Sequence, residues 1–482
     1  MWQRLEQREI RRRLRVVPLQ PGERPDPSRP AGTDMLPEIK HIVVLMMENH
    51  SFDNYLGTMT GRGEGLPLDG QGWPAAENRN QDGKPVRSYR FDSTRQVKGT
   101  PSQSWHATHL QWNSGGMDGF VTATQEIDAD ADASIAMGYW SEDDLPFYHG
   151  LAKTFPLADH WFSSCLGPTF PNRRFLIAGT ANGLVDDLPL HLLDYPPAGT
   201  IFDMLSQHGV SWTNYHSTSG DDHLSRARRF ASYRRRTLRR RRKSWLSRHF
   251  KKMTDMQKDL VFTADLYPMG IARHVLHVRG MDLFCEDAAN GTLPAFSIVD
   301  PSFEEYSEEN PQDIRRGESF AADVISRVMH GKGWPDTLLI WTYDEHGGYY
   351  DHVPPPAAVP PDDIDGRSMA RRGPVLSIAH RLLFPQNAKD AENDAGAMRY
   401  DQYGVRVPAV IVSPYARRDC VLSDVFDHTS VLKLVEEKWN LPALTKRDAA
   451  ALSPIGALDF TAPPAFLNPP PLPEPAVKWG SW

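Results

Sequence analysis

Two carboxylates stand side by side at Asp344–Glu345, directly after the apolar and aromatic run Thr337–Tyr343 and just before Gly347–Gly348. Adjacent acids in a cleft resist ionising together, because each raises the other's pKa unless donors or a cation compensate. A metal ion is the usual compensator. The same pattern occurs far earlier in the chain, where the run His41–Met47 stops at Glu48–Asn49, again an acid beside a second oxygen donor. A third chemical group is Thr169, which precedes Pro171, a residue favoured in the first turn of a helix. A hydroxyl at a helix N-terminus suits nucleophilic attack on phosphorus, because backbone N–H groups and the helix dipole favour the phosphate. Each feature has a plainer reading: a charged turn after a strand, or an ordinary threonine helix cap. Asp351–His352 returns towards the edge where Asp344–Glu345 lies. His106 and His109, three apart on a helical pattern, offer either a metal-ligand pair or surface and packing roles.

The elements that must position these groups follow from hydrophobic periodicity. His41–Met47, Val210–Tyr215, Leu293–Val299, Thr337–Tyr343 and Arg406–Pro414 read as strands, the second preceded by an amphipathic helix over Thr200–Gly209. That helix-to-strand step builds parallel sheets, whose ligands gather beyond the carboxyl ends of the strands. Further helices are expected over Ser104–Asn113, Asp144–Ala152, Asp313–His330 and Asp427–Glu437, and Gly61–Pro101 reads as a long loop region. We expect an arm over 1–35, one α/β domain over 36–452 with a basic insertion at about 217–275, and a Pro-rich tail over 453–482.

Composition supports a large globular protein with long loops: 482 residues include 13 Trp, 15 Tyr, 40 Pro and 35 Gly. The net charge of −7 conceals fourteen Lys or Arg and no acid between Arg226 and Lys252, so the remainder is distinctly acidic. An acidic body suits carboxylate metal sites better than nucleic acid. The basic stretch reads either as a contact for an anionic surface such as a phospholipid membrane or as a solvated insertion. Cys165, Cys285 and Cys420 form neither a disulfide framework nor a zinc motif. No apolar run is long enough to span a membrane. Arg11–Arg12–Arg13 is followed by Val16–Val17–Pro18, which is no apolar h-region, so the expectation is no export signal and a cytoplasmic location by default.

Three blocks carry a family resemblance: Met47–Glu48–Asn49–His50–Ser51–Phe52–Asp53, Gly167–Pro168–Thr169–Phe170–Pro171–Asn172–Arg173, and Tyr343 through Asp344–Glu345–His346–Gly347–Gly348 to Pro355. In this order they resemble the signature blocks of the bacterial phosphoesterase family, which comprises phosphatidylcholine-type phospholipases C and related acid phosphatases of the alkaline phosphatase superfamily. The resemblance implies an α/β/α sandwich with a mostly parallel sheet. It also implies Glu48, Asn49, Asp344 and Glu345 in metal-binding positions, Thr169 as nucleophile and Asn172 holding a phosphate oxygen. All-oxygen ligation suggests Ca²⁺, Mg²⁺ or Mn²⁺, although the superfamily also uses Zn²⁺. The expected reaction is a two-step displacement through a phosphothreonine, with His352, then His428, the first candidates for proton transfer. Two departures stand out: Gln103 and Asn310 occupy positions where members usually carry histidines, and relatives are often exported. The competing readings are a phosphomonoesterase on the same site and a non-catalytic protein that binds anionic surfaces through the basic stretch.

Overall fold

The computed structural model describes residues 19–97, 100–187, 195–217, 263–267, 273–364 and 399–478. The basic stretch between Arg226 and Lys252, and with it the proposed membrane contact, lies outside the described residues.

The two runs that end in acids are the centre of the sheet. β1 (His41–Met47) and β6 (Thr337–Tyr343) are buried on both faces and pair in parallel, with His41 opposite Thr337 and Met47 opposite Tyr343. Since both strands stop at the same level, Glu48 and Asp344 emerge side by side. β2 (Leu157–Ala158), β3 (Trp212–His216), β4 (Val278–Gly280), β5 (Phe296–Asp300), β7 (Ala409–Val412) and β8 (Val421–Leu422) complete an eight-stranded sheet in the order β8-β2-β7-β6-β1-β5-β3-β4. β7 alone runs against the others, antiparallel to both β6 and β2. The rest of the sheet is parallel, as expected of strands that are apolar on both faces.

The helices are α1 (Phe52–Leu56), α2 (Trp105–Trp112), α3 (Phe120–Ile127), α4 (Pro146–Thr154), α5 (Thr169–Ala178), α6 (Ile201–Gln207), α7 (Met281–Asn290), α8 (Ile314–His330), α9 (Thr429–Trp439) and α10 (Lys446–Ala450). α5, α6, α9 and α10 pack together as one layer, and α4, α7 and α8 as another, which makes an α/β/α fold around the sheet. Above the strand ends, α2, α3 and the loops around them share a small apolar cluster that includes Phe120, Met137 and Tyr139.

Both chain ends of the described structure lie along this body. Asn440 takes the Asp26 N–H on its Oδ1 (2.8 Å), and Lys438 Nζ donates to Asp34 (2.7 Å), so residues 19–35 run beside the end of α9. In the Pro-rich C-terminal stretch, the Phe466 carbonyl accepts from Trp334 Nε1 (2.9 Å). Pro473 sits so close to Gly150 of α4 that a Cβ there would lie 2.3 Å from its ring.

Candidate active site

Four neighbouring strands deliver polar groups to one edge. Asp344 follows β6, Glu48 follows β1, Asp300 ends β5, and His216, at the end of β3, is level with Asp300. All four are buried. The cation among them is Arg173, which reaches in from α5. Its Nε donates to Asp344 (2.8 Å), its Nη1 to Asp300 (3.0 Å), and its Nη2 to the Met46 and Met47 carbonyls (3.3 and 3.2 Å), with Glu48 at 3.7 Å. Burial works against the guanidinium's charge, but Asp344, Glu48 and Asp300 together hold it protonated.

Among the described residues, Arg173 is the cation that these acids share. Burial raises the Asp344 carboxyl, while Arg173 and the Glu345 and Asn49 N–H groups pull it down. Glu345 rises further, through burial and then the charge of Asp344, although the Gly347 N–H donates to it (2.6 Å). Asn49 takes up a left-handed backbone at φ 70°, and Gly347 closes over it so tightly that a Cβ would lie 2.0 Å from the Asn49 carbonyl oxygen. The two glycines after Glu345 therefore allow close approach to protein backbone: Gly348 sits in the same way against Ser102.

Thr169 is the first residue of α5, buried except for 7% of its surface. Asn172, which the resemblance places on a phosphate oxygen, is buried and engaged with its own turn. Its Oδ1 accepts the Cys165 N–H (3.0 Å) and its Nδ2 donates to the Gly167 and Pro168 carbonyls (2.8 and 3.0 Å). These bonds tie the Asn172 side chain to the turn that leads into Thr169.

The two histidines considered for proton transfer are engaged as well. His428 donates from Nε2 to the Asp344 carbonyl (2.7 Å) and accepts the Trp161 indole N–H at Nδ1 (3.4 Å); burial lowers its pKa to about 4. It is a neutral strut that positions Asp344. His352 lies in a different cluster: its Nδ1 bonds Asp53 (2.6 Å), and Arg406 bridges Asp53 and Asp351 (3.2 and 2.9 Å). Burial opposes the His352 charge, but Asp53 and then Asp351 hold its pKa above the usual value. Ligand atoms of Asp53, Asp351 and His352 lie within 4.8 Å of one another, a grouping able to hold a metal. Here Arg406 already supplies countercharge. His106 pairs with Glu126 (2.9 Å) and His109 with the Trp105 carbonyl (2.7 Å), each on its own partner.

Residues 39–442 match the model of the phosphoesterase family. The chain belongs to the phosphoesterase family. Its relatives include phospholipase C B of Mycobacterium tuberculosis, 30% identical over 458 residues, spanning 89% of this chain and 79% of that protein. Non-specific phospholipase C6 of Arabidopsis thaliana is 27% identical over 437 residues (86% and 71%), and the hemolytic phospholipase C of Pseudomonas aeruginosa 28% over 439 residues (85% and 54%). A solved structure of a protein in the alkaline phosphatase superfamily from Vibrio parahaemolyticus covers 91% of this chain and 76% of its own, at a TM-score of 0.35 and 9% identity. The family makes this chain a hydrolase of phosphate esters.

Within this phosphoesterase, several groups escaped the sequence reading. Arg173 and Asp300 are central to the edge just described, and Asp187 accepts the Phe170 N–H (2.8 Å) at the start of α5. His346, inside the Asp344–Gly348 block, donates from Nε2 to Gln111 Oε1 (2.7 Å) and leaves a buried Nδ1 without a hydrogen bond, 3.6 Å from Glu345. Burial lowers its pKa to about 3, so it is neutral. Two buried oxygens, Asn49 Oδ1 and Glu345 Oε1, also accept no hydrogen bond. Unpartnered buried oxygens beside an excess of carboxylate are what a hard cation satisfies, so the donor set fits a divalent metal. Of the two departures, Asn310 donates to the Thr100 carbonyl (2.6 Å) and accepts from Tyr349 (3.3 Å), while Gln103 lies on the loop next to Ser102, which abuts Gly348.

Proposed function

We propose that this protein is a metal-dependent hydrolase of phosphoric esters of the phospholipase C type, with Thr169 as nucleophile. The observation that carries the proposal is the meeting of β1 and β6 at one level. It sets Glu48, Asn49, Asp344 and Glu345 together, with two bare oxygens among them, and Arg173 ties this group to α5, whose first residue is Thr169. The phospholipase C relatives support the diester reading.

Glu48, Asn49, Asp344 and Glu345 would hold the divalent cation, which when bound supplies Lewis-acid polarisation of a phosphoryl oxygen and favours the alkoxide form of a nearby hydroxyl. The chain's own residues do the rest. Thr169 gives up its hydroxyl proton as Oγ1 bonds to phosphorus; the bond from phosphorus to the leaving alcohol breaks, and that alcohol takes up a proton. Water then attacks the phosphothreonine, the bond from phosphorus to Oγ1 breaks and the threonine is reprotonated. Arg173 holds Asp344 and Asp300 in register, and His428 fixes the backbone at Asp344. Burial of this edge removes water that would weaken these interactions.

The test is hydrolysis by chelator-stripped protein resupplied in turn with Ca²⁺, Mg²⁺, Mn²⁺ and Zn²⁺. The substrates are para-nitrophenylphosphorylcholine, a diester, and para-nitrophenylphosphate, a monoester. The proposal expects metal-dependent release from the diester. Release from the monoester alone would make the protein a phosphomonoesterase, and full activity after stripping would remove the metal from the account.

A further inference from the structure

The start of α5 is already occupied by a carboxyl group of the protein's own. A helix N-terminus offers unpaired N–H groups and a partial positive charge, the features a phosphate oxygen seeks. In α5 this offer is small. Pro171 has no N–H, and the Asn172 N–H points back to the Pro168 carbonyl (3.4 Å). That leaves Thr169 and Phe170 as the residues of the first turn whose N–H groups can face an incoming anion. The Phe170 N–H donates to Asp187 Oδ1 at 2.8 Å.

We propose that Asp187 is a built-in competitor for the substrate's phosphate: its carboxylate holds the Phe170 N–H beside Thr169 and must leave before a phosphate oxygen can take that donor. The inference rests on the reading of Thr169 as nucleophile. The surroundings of Asp187 favour exchange over a permanent contact. Partial burial, then the charges of Asp186, Asp344 and Glu309, push its carboxyl up to about 7 against the pull of the Phe170 N–H. Nearby Arg173 is spent on Asp344 and Asp300. Entry of a phosphate into this acidic edge adds negative charge, whereas displacement of Asp187 removes some. An anion-for-anion exchange therefore costs less than simple addition.

Such a competitor weakens every phosphate-bearing species that uses the Phe170 N–H, substrate and product alike. In a site that binds ground and transition states through the same donor, that penalty falls on KM and on product affinity, with little effect on kcat. Asp187 thus limits retention of the released phosphate species.

The experiment measures binding of inorganic phosphate to the metal-supplemented protein by titration calorimetry, together with its Ki against ester hydrolysis, for the wild type, Asp187→Ala and Asp187→Asn. Loss of a charge-assisted competitor is expected to tighten phosphate binding about tenfold in Asp187→Ala, with KM falling in parallel. Asp187→Asn keeps an acceptor for the Phe170 N–H without the charge and is expected to lie between the two; it serves as the decisive variant if Asp187→Ala fails to fold. Phosphate affinity unchanged or weakened in the folded variants overturns the inference. Tighter phosphate binding without ester hydrolysis by any form would sustain the competitor and sink the functional reading, whereas hydrolysis with unmoved phosphate affinity would do the reverse.

Discussion

Glu308→Gln should flatten the pH dependence of folding stability. Glu308 is fully buried at a left-handed backbone position (φ 76°) and accepts hydrogen bonds from three phenols: Tyr55 (2.9 Å), Tyr148 (2.7 Å) and Tyr343 (2.5 Å). Tyr343 immediately precedes Asp344, and Tyr55 lies in the helix after Asn49, so this cage underlies the active edge. Burial raises the carboxyl from 4.5 to about 8, against the downward pull of the three phenols. The sign follows from that order. Between the two values the folded chain keeps a proton that the unfolded chain releases. The contribution to stability is therefore complete below pH 4.5 and is lost as pH rises through about 8. At roughly 1.4 kcal/mol per pKa unit, the full swing is about 5 kcal/mol, of which about 3 kcal/mol falls between pH 5.5 and 8.5. Glutamine carries no proton to lose. It costs about 1 kcal/mol at low pH, because its NH₂ cannot accept from a phenol as a carboxyl oxygen does. Urea unfolding followed by tryptophan fluorescence at the two pH values gives the comparison. Glu318, also raised to about 8, titrates in both proteins; because its charge is among the causes that raise Glu308, the comparison reads the pair with Glu308 as the removed member. The wild type should lose about 3 kcal/mol more than the variant over this interval; equal losses would refute the assignment of a proton to Glu308.

Arg173→Lys should cost about 3–5 kcal/mol in thermal or urea unfolding, because a single ammonium cannot serve Asp344, Asp300 and two main-chain carbonyls at once. A variant as stable as the wild type would contradict the bridging role. His352→Gln should leave the pH–rate profile of ester hydrolysis in place, since the imidazole is tied to Asp53 and set among Asp351 and Arg406; loss of one limb of that profile would restore it as the proton carrier. Metal titration of Asn49→Ala by calorimetry should show affinity falling at least tenfold, because one bare oxygen of the donor set is gone, and unchanged affinity would place the cation elsewhere.

The parts of this site that could be read from sequence are those written locally. β1 and β6 are unbroken apolar runs, and each hands its acid to a strand end, so Glu48, Asn49, Asp344 and Glu345 were found by pattern and meet in space. The start of α5 was legible for the same reason, from Pro171 and the residues around it. The role of Arg173 is not written locally, because its partners Asp300 and Asp344 are far away in sequence and only the sheet order brings them near. The reversal of β7 left no trace in its composition, since Val410, Ile411 and Val412 suit either direction. The hydrogen-bond partners of Asn172 and His428 are not legible in the sequence, because they include main-chain carbonyls that only the fold brings near. His346 had a usable signal: it directly follows Glu345, and an imidazole next to a paired acid merits the same suspicion as the acid.

The most direct test of the central claim is acid-quenched trapping of the covalent intermediate. The metal-supplemented protein is mixed with para-nitrophenylphosphorylcholine, quenched in acid during turnover, digested and analysed by mass spectrometry. The account expects a phosphorylcholine adduct on Thr169, and no adduct or turnover in Thr169→Ala. An adduct on another residue, or sustained hydrolysis by a folded Thr169→Ala, would contradict it.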